Sequence, residues 1–185
     1  YMVSAKEGKD NGCIINTVMQ ITEEPRQIMI GVNKSNLTHD MIRRTGKVCV
    51  SVLDTDAPFS LYQHFGYQSG RDSDKFAEYK DVKRAENGLY YLTEGTNSYL
   101  AGEVRQTIDC GTHSIFLVEV TEGEKIGEKA SVTYQYYQDH VKPKPETEQK
   151  GYLCKVCGYI YTGEVLPEGY ICPVCKHGTE VFVKR

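Results

Sequence analysis

Four of the seven cysteines stand in two C-x-x-C pairs near the end of the chain, and fourteen residues separate the pairs. Four thiolates around one ion make a tetrahedral site that suits zinc or a single iron. A bound metal would also explain how about 36 residues fold, because so small a core is marginal without a cross-link or an ion. The sequence therefore predicts a metal centre held by Cys154, Cys157, Cys172 and Cys175.

The residues around these cysteines bear on the choice between zinc and iron. The stretches "GYLCKVCGYIY" and "LPEGYICPVCKHG" resemble the rubredoxin family on both sides of the site. Gly158 and Pro173 are then expected to shape turns whose N–H groups point at the sulfurs. Aromatic packing that keeps water off the metal and tunes its reduction potential is expected from Tyr152, Tyr159, Tyr161 and Phe182. The pairs lie closer together than in rubredoxin itself and are similar in spacing to rubredoxin-like domains fused to other redox proteins. This resemblance implies an Fe(Cys)4 centre, and the short spacing leaves zinc open as a substitute.

Two polar stretches interrupt apolar strands in the first part of the chain. "INTV" places Asn16 and Thr17 inside an otherwise apolar run, where polar groups need partners. "NKSNLTH" is a strand end followed by a helix start, a place where free N–H groups and the positive helix end suit a phosphate. The alternatives are a hydrogen bond within the sheet for the first stretch and a simple helix cap for the second.

Two further features carry side chains able to do chemistry. The loop "SGRDSDKF" offers Arg71, Asp72, Lys75 and Phe76, although a solvated run of charges is the plain alternative. His113 begins a strong strand after "CGT", where its side chain is expected to project from a barrel rim; a structural histidine is the alternative. Cys49 and Cys110 are interpreted as buried, small apolar residues.

The elements that position these residues are mostly strands. Alternating or β-rich runs predict strands at residues 13–21, 27–33, 47–53, 89–92, 98–106 and 113–120, and a short helix at 39–45 capped by Thr38 or Asn36 and closed by Gly46. The stretch 54–88 has an irregular pattern. A closed or partly closed barrel buries such strands without exposed edges, so the class is mainly β with short helices.

The predicted domain organisation is a barrel at 1–141, a proline-rich linker at 142–150 and a small metal domain at 151–185. The chain opens inside a strand, so we expect its N-terminus to be incomplete. A net charge of −3 argues against a nucleic-acid partner, and no apolar run approaches the roughly 20 residues of a membrane span. Scattered thiols beside C-x-x-C pairs favour a reducing cytoplasm.

The blocks "NGCIINTVMQIT", "PRQIMIGVNKSNLTHDMIRRTGKVCVSVL", "FGYQSGRDSDKF" and "GTHSIFLVEV" occur in the order of the flavin reductase-like, FMN-binding split-barrel family, which the chain resembles over residues 1–140. With the C-terminal domain, the whole resembles the high-molecular-weight rubredoxins. The resemblance implies an FMN-binding split barrel and places His113 beside the flavin, in the nicotinamide region. It also implies a set of FMN-binding residues: Asn16, Thr17, Val18, Asn33, Lys34, Ser35, Asn36, Thr38, Ser51, Val52, Arg71, Asp72, Lys75 and Phe76.

The function implied is that of an NAD(P)H-dependent flavoprotein oxidoreductase. Hydride passes from NAD(P)H to FMN, single electrons pass to the rubredoxin-type iron, and an external acceptor, such as a flavodiiron protein that reduces oxygen or nitric oxide, takes them. No G-x-G-x-x-G follows a strand, so the nicotinamide is expected to stack on the flavin and not in a Rossmann crevice. A homodimer is expected. The alternative is a non-catalytic FMN-binding protein with a structural zinc ribbon.

Overall fold

The computed structural model describes residues 1–143 and 150–185 of the chain. Its helices are α1 (Leu37–Thr45), α2 (Phe59–Gly66) and α3 (Tyr134–Tyr136), the last continuing as a π-helical turn at Tyr137–Val141, and a 3-10 turn lies at Thr179–Val181. Its strands are β1 (Met2–Glu7), β2 (Lys9–Ile14), β3 (Val18–Thr22), β4 (Gln27–Asn33), β5 (Lys47–Leu53), β6 (Val82–Arg84), β7 (Tyr90–Leu92), β8 (Thr96–Asp109), β9 (His113–Lys125), β10 (Tyr152–Cys154), β11 (Ile160–Tyr161) and β12 (Phe182–Lys184).

Seven strands form one antiparallel sheet in the order β2-β1-β5-β8-β9-β4-β3. The two edge strands, β2 and β3, are consecutive in the chain and joined by only three residues, 15–17, so the sheet must curl until its edges meet there. Main-chain bonds anchor this seam, from Ile15 N to the Tyr1 carbonyl and from Gly31 N to the Thr17 carbonyl. The predicted mainly β class with a partly closed barrel is confirmed.

The barrel interior is filled by the inward side chains of alternating strand positions. Ile28, Ile30 and Val32 of β4 are buried together with Phe116 and Val118 of β9. Helix α1 covers the barrel with Met41 and Ile42, and Gly46 ends it in the left-handed conformation at φ 68°. The predicted helix is confirmed, and it begins two residues earlier than expected because Asn36, not Thr38, is the cap residue.

Three predictions of local structure are wrong. The expected strand at 13–21 is interrupted at the seam, which places Asn16 and Thr17 in the connection and not at the centre of a strand. The stretch 54–88 contains α2, whose apolar residues Leu61, Tyr62 and Phe65 have helical spacing and are buried. Cys49 is buried as predicted, but Cys110 is exposed because it lies in the tight turn between β8 and β9.

The C-terminal strands form a separate three-stranded sheet in the order β11-β10-β12. Most of the predicted linker at 142–150 lies outside the described residues, and the predicted domain limits stay predictions. No helix within residues 1–143 and 150–185 is both long and apolar enough to cross a bilayer.

Candidate functional site: a four-cysteine centre beside two cavities

The four cysteines of the C-x-x-C pairs converge at one point. Their sulfurs all lie within 4.8 Å of one another, and Cys154–Cys175 and Cys157–Cys172 are each separated by 3.5 Å. A tetrahedral ion with metal–sulfur bonds of about 2.3 Å needs sulfurs about 3.8 Å apart, so the set fits zinc or iron in size and shape. All four residues are buried.

The local backbone presents donors to these sulfurs. Gly158, at φ 83°, closes the first turn with a bond from its N–H to the Cys154 carbonyl, and the N–H of Tyr159 is directed at the Cys157 sulfur. In the second turn the N–H of His177 is directed at the Cys175 sulfur. Burial raises the pKa of the Cys175 thiol, whereas backbone N–H groups and neighbouring sulfurs outweigh burial and lower the pKa of Cys172. A cation between the sulfurs stabilises all four as thiolates.

An aromatic and aliphatic shell covers the centre. Of the aromatic residues of the C-terminal domain, Tyr159 and Phe182 pack against the cysteines, and Tyr67 joins them from the barrel domain. Tyr161 packs instead on Tyr170, at 4.7 Å between ring centroids. The shell restricts access of water to the sulfurs and so sets the dielectric around a bound metal.

A cavity of about 960 Å³ lies between the start of α1, the end of α2 and the loop that follows α2. Asn36 precedes α1, but its side-chain amide makes no hydrogen bond that caps the helix. Hydroxyl, amide and charged side chains dominate the wall: Asn11, Ser35, Asn36, Thr38, Ser60, Gln63, Ser69, Asp72, Ser73 and Lys75.

Two buried polar groups of this first cavity indicate a ligand. Lys75 is 3% exposed, and its ammonium donates to the carbonyls of Gly12 and Phe65, both at 2.8 Å. Burial lowers the pKa of Lys75 to about 8. Asn11 donates from Nδ2 to the Thr38 hydroxyl, whereas its buried Oδ1 has no partner among the described residues. An orphaned acceptor among hydroxyls fits a polyhydroxylated ligand chain that donates to it.

A second cavity, of about 410 Å³, adjoins the first and shares Asn36, Gly66 and Tyr67 with it. The seam residues Asn16 and Thr17 form one side of this cavity, and Asn33 and His113, paired across β4 and β9, form another. Tyr62 and Tyr137 add aromatic rings. The Tyr62 hydroxyl is buried without a partner among the described residues, and burial raises its pKa to about 12. The mixture of aromatic rings with unpaired polar groups fits a planar heteroaromatic ligand.

The C-terminal domain closes one side of the first cavity. Residues 173–177, which include Cys175, contribute to the wall of this cavity together with the start of α1. Tyr67 lines both cavities and packs against the cysteine cluster, and its hydroxyl lies 2.8 Å from that of Tyr137. Burial raises the pKa of Tyr67 far above its usual range, with the Tyr137 hydroxyl as the next contributor, so the side chain stays neutral.

The structure places the predicted flavin residues in three groups. Asn16, Thr17, Asn33, Asn36 and His113 line the second cavity. Ser35, Asn36, Thr38, Asp72 and Lys75 line the first.

The remaining predicted residues lie outside the wall of either cavity. Lys34 pairs with Asp109 at 2.5 Å, and Arg71 pairs with Asp40 at 2.7 Å. The Ser51 hydroxyl is buried and accepts from Leu92 N. These three side chains therefore have partners within the protein.

The other residues of this group are apolar. Val18 packs on the barrel core, and Phe76 is buried against Phe65 and Tyr90. Val52 is half-buried on β5. Assignment of all these residues to the flavin stays a prediction without support from their positions.

Sequence reasoning missed several residues of the cavities, above all Asn11, Tyr62, Tyr67 and Tyr137. The apolar spacing of "FSLYQHFG" was the available signal for Tyr62, because it predicts a helix that buries this face. Asn11 and Tyr137 carried no comparable signal, since each depends on a contact far away in the chain.

Comparisons with known proteins agree with this geometry. Residues 1–144 match the family described as flavin reductase like domain, and residues 152–183 match the rubrerythrin, rubredoxin-like domain. The chain is 36% identical to the high molecular weight rubredoxin of Moorella thermoacetica, over 98% of this chain and 93% of that protein. It is 32% identical to the ferric-chelate reductase (NAD(P)H) of Archaeoglobus fulgidus, over 80% of this chain and 86% of that protein.

A solved structure shows the same fold. The NADH:FAD oxidoreductase SgcE6 of Streptomyces globisporus C-1027 superposes with a TM-score of 0.64 at 21% identity, covering 70% of this chain and 76% of that one. The family assignment rests on sequence similarity, which covers both the barrel domain and the C-terminal domain. The chain therefore belongs to the flavin reductase-like family and, with its C-terminal rubredoxin-like domain, to the high-molecular-weight rubredoxins.

Proposed function

We propose that the protein is an NAD(P)H-dependent oxidoreductase in which FMN occupies the two adjoining cavities and iron occupies the four-cysteine centre. The observation that carries the proposal is the shared wall: residues 173–177 of the metal-binding domain line the same cavity as the start of α1. A ligand that fills both cavities would lie against residues 173–177 in the first cavity and against Tyr67, which lines both cavities and packs on the cysteine cluster. The family's flavin-dependent electron transfer is consistent with this arrangement.

The first cavity is assigned to the phosphate and the ribityl chain. Ser35, Asn36 and Thr38 offer hydroxyl and amide groups at the start of α1, where the helix dipole favours an anion. Lys75 adds a positive charge at low exposure, where it interacts with an anion more strongly than a lysine in water. The orphaned Asn11 Oδ1 is assigned to a ribityl hydroxyl.

The second cavity is assigned to the flavin ring. Asn16 and Thr17 at the seam, and the hydroxyl of Tyr62, are placed to hydrogen-bond its polar edge. His113 is exposed, and its Nδ1 lies 2.9 Å from the Thr112 hydroxyl. Its Nε2 therefore points away from Thr112. We assign His113 to the nicotinamide side of the ring.

A flavin accepts a hydride as two electrons and releases the electrons singly, which is the conversion needed between NAD(P)H and one iron. The chain's own contribution is to hold the ring next to Tyr67 and to exclude water from the sulfurs with Tyr159 and Phe182. An external acceptor, proposed to be a flavodiiron protein, takes electrons from the iron.

An apolar outer face of the barrel supports a homodimer. Met19 on β3 and Ile108 on β8 are 51% and 45% exposed, and Met29, Ile115 and Leu117 on the intervening strands share this face by register. Asn33 and His113, which line the second cavity, are paired at the end of the same strands. A second copy on this face would lie close to the ring site.

Replacement of Cys154 by serine tests the division of labour between the domains. Cys154 lies at the metal centre and lines neither cavity, so flavin reduction by NADH should survive in Cys154→Ser whereas delivery to an external acceptor is lost. The measurements are stopped-flow flavin bleaching and steady-state reduction of a rubredoxin-type acceptor. Loss of both steps together would contradict the assignment.

The alternative of a non-catalytic protein with a zinc ribbon predicts a different result. Protein from its native source would then contain zinc at the four cysteines, and NADH would bleach neither centre. Metal analysis of the same preparation separates these outcomes, because the cysteine set accepts either ion.

A further inference from the structure

We propose that Tyr67 is the positioning residue through which electrons cross from the ring cavity to the four-cysteine centre, with Tyr137 holding its ring in place. The inference rests on the proposed function, because it needs an electron donor in the cavities and iron at the cysteines. Tyr67 lies in the block "FGYQSGRDSDKF", but that motif assigns it no role.

Tyr67 is the side chain of the barrel domain that packs against the cysteine cluster, among the described residues. It also lines both cavities, so one aromatic ring contacts the space on one side and the sulfur shell on the other. The electrostatic neighbours of its hydroxyl include Cys157 and Cys175, one cysteine from each C-x-x-C pair.

Several contacts fix the ring. It follows α2 directly, with its N–H donating to the Gln63 carbonyl, and it packs edge-on against Phe59 at 5.9 Å. Its hydroxyl is 2.8 Å from that of Tyr137, whose ring lies 4.8 Å from Tyr62. Tyr137 belongs to the turn just before the segment that leads to the metal domain. The Tyr67–Tyr137 pair therefore connects the end of α2 to the start of that segment.

A second close approach lies where the chain leads into the metal domain. A Cβ at Gly158 would come within 3.1 Å of the Pro143 carbonyl, so the first cysteine turn packs against the start of the predicted linker. This contact limits how far the cysteine turn moves from the barrel, whereas Tyr67 supplies the atoms between the cavities and the sulfur shell. Electron transfer depends steeply on distance and on the atoms between the centres, so a fixed ring at this position controls its rate.

The electron count follows from the two centres. Each NAD(P)H oxidised supplies two electrons and releases one proton to solvent, and the electrons cross one at a time. Each crossing converts one ferric centre to ferrous, and the external acceptor reoxidises it before the second. Tyr67 itself is neither oxidised nor reduced and keeps its proton. Its ring supplies packing contact between the cavities and the sulfur shell.

The test compares Tyr67→Leu, which removes the ring, with Tyr67→Phe, which keeps the ring and loses the hydroxyl pair. In anaerobic stopped-flow with the FMN- and iron-loaded protein, the flavin-to-iron step is followed after the flavin has been reduced, because Tyr67 lines both cavities and its replacement also affects flavin binding and reduction. This step should slow by about tenfold or more in Tyr67→Leu and stay within about threefold in Tyr67→Phe. Tyr136→Leu is the matched control, since Tyr136 lines neither cavity and contacts His140 instead.

Hydrogen exchange and FMN affinity, measured without NADH, distinguish a role of Tyr67 in electron transfer from a role in holding the metal domain in place. The proposal expects the amides of residues 172–177 to exchange as in the wild type in Tyr67→Leu, and each variant is saturated with FMN according to its measured affinity. Faster exchange there together with the slow step would overturn it in favour of a docking role, and an unchanged step in Tyr67→Leu would overturn it outright. Tyr67→Met replaces Tyr67→Leu if the latter fails to fold. A wild-type protein whose iron is never reduced would instead refute the proposed function, before any variant is compared.

Discussion

The buried lysine of the first cavity makes the stability of the protein depend on pH in a defined direction. Lys75 is 3% exposed, and its pKa is lowered by burial from 10.5 to about 8 in the folded protein. Below pH 8 both the folded and the unfolded chain hold its proton. Between pH 8 and 10.5 the unfolded chain binds the proton and the folded chain does not, so the free energy of unfolding rises with pH.

The size of the effect follows from the shift. One pKa unit corresponds to about 1.4 kcal/mol, so the wild type should gain about 3 kcal/mol relative to Lys75→Met between pH 7 and pH 10.5. The neutral amine still has two N–H groups for the Gly12 and Phe65 carbonyls, whereas methionine leaves both unpaired at every pH. That loss is therefore a constant offset and does not affect the slope.

The assay is urea unfolding of flavin-free protein at several pH values, with the difference between wild type and Lys75→Met as the measured quantity. Burial also raises the pKa of the Cys13 thiol, which opposes the trend above pH 9; because Lys75 itself lowers the pKa of Cys13, both proteins are compared in a Cys13→Ala background. Exposed Lys47 provides the control, because Lys47→Met removes no buried charge. A difference that stays constant from pH 7 to 10.5 would refute the reasoning.

Two further substitutions test other parts of the account. Gly70→Ala places a Cβ 2.2 Å from Asn11 Oδ1, so the Asn11–Thr38 bond must break. We expect a loss of about 1–3 kcal/mol in the free energy of unfolding and weaker FMN binding. Unchanged values in denaturation and fluorescence titrations would contradict the role of Asn11. Met19→Asp puts a charge on the apolar outer face, and light scattering should show a wild-type dimer and a monomeric variant. A monomeric wild type would contradict the proposed interface.

Sequence patterns predicted the elements that are determined by residues close together in the chain. β-rich runs predicted the strands at 27–33 and 47–53 with the bounds that the structure has, although only the first alternates in burial. Gly46 marked the end of α1 because the helix needs a left-handed residue there. The four metal ligands follow from spacing alone, since a C-x-x-C turn places both sulfurs on one side. These features depend on residues close together in the chain.

What the sequence did not reveal depends on distant contacts. The seam at Asn16 exists because β2 and β3 are opposite edges of one curled sheet, which no local pattern records. Ser51 and Arg71 are of the right types to bind a cofactor, but Leu92 and Asp40 take up their polar groups. The placement of residues 173–177 on the first cavity likewise arises from packing between domains.

An anaerobic titration with NADH, on protein of known FMN and metal content, tests the central claim most directly. Flavin takes two electrons and one iron takes one, so the account predicts that both absorbances bleach and that full reduction needs about one and a half equivalents of NADH per chain. An end point at about one equivalent, with the iron band unchanged in iron-loaded protein, would contradict it.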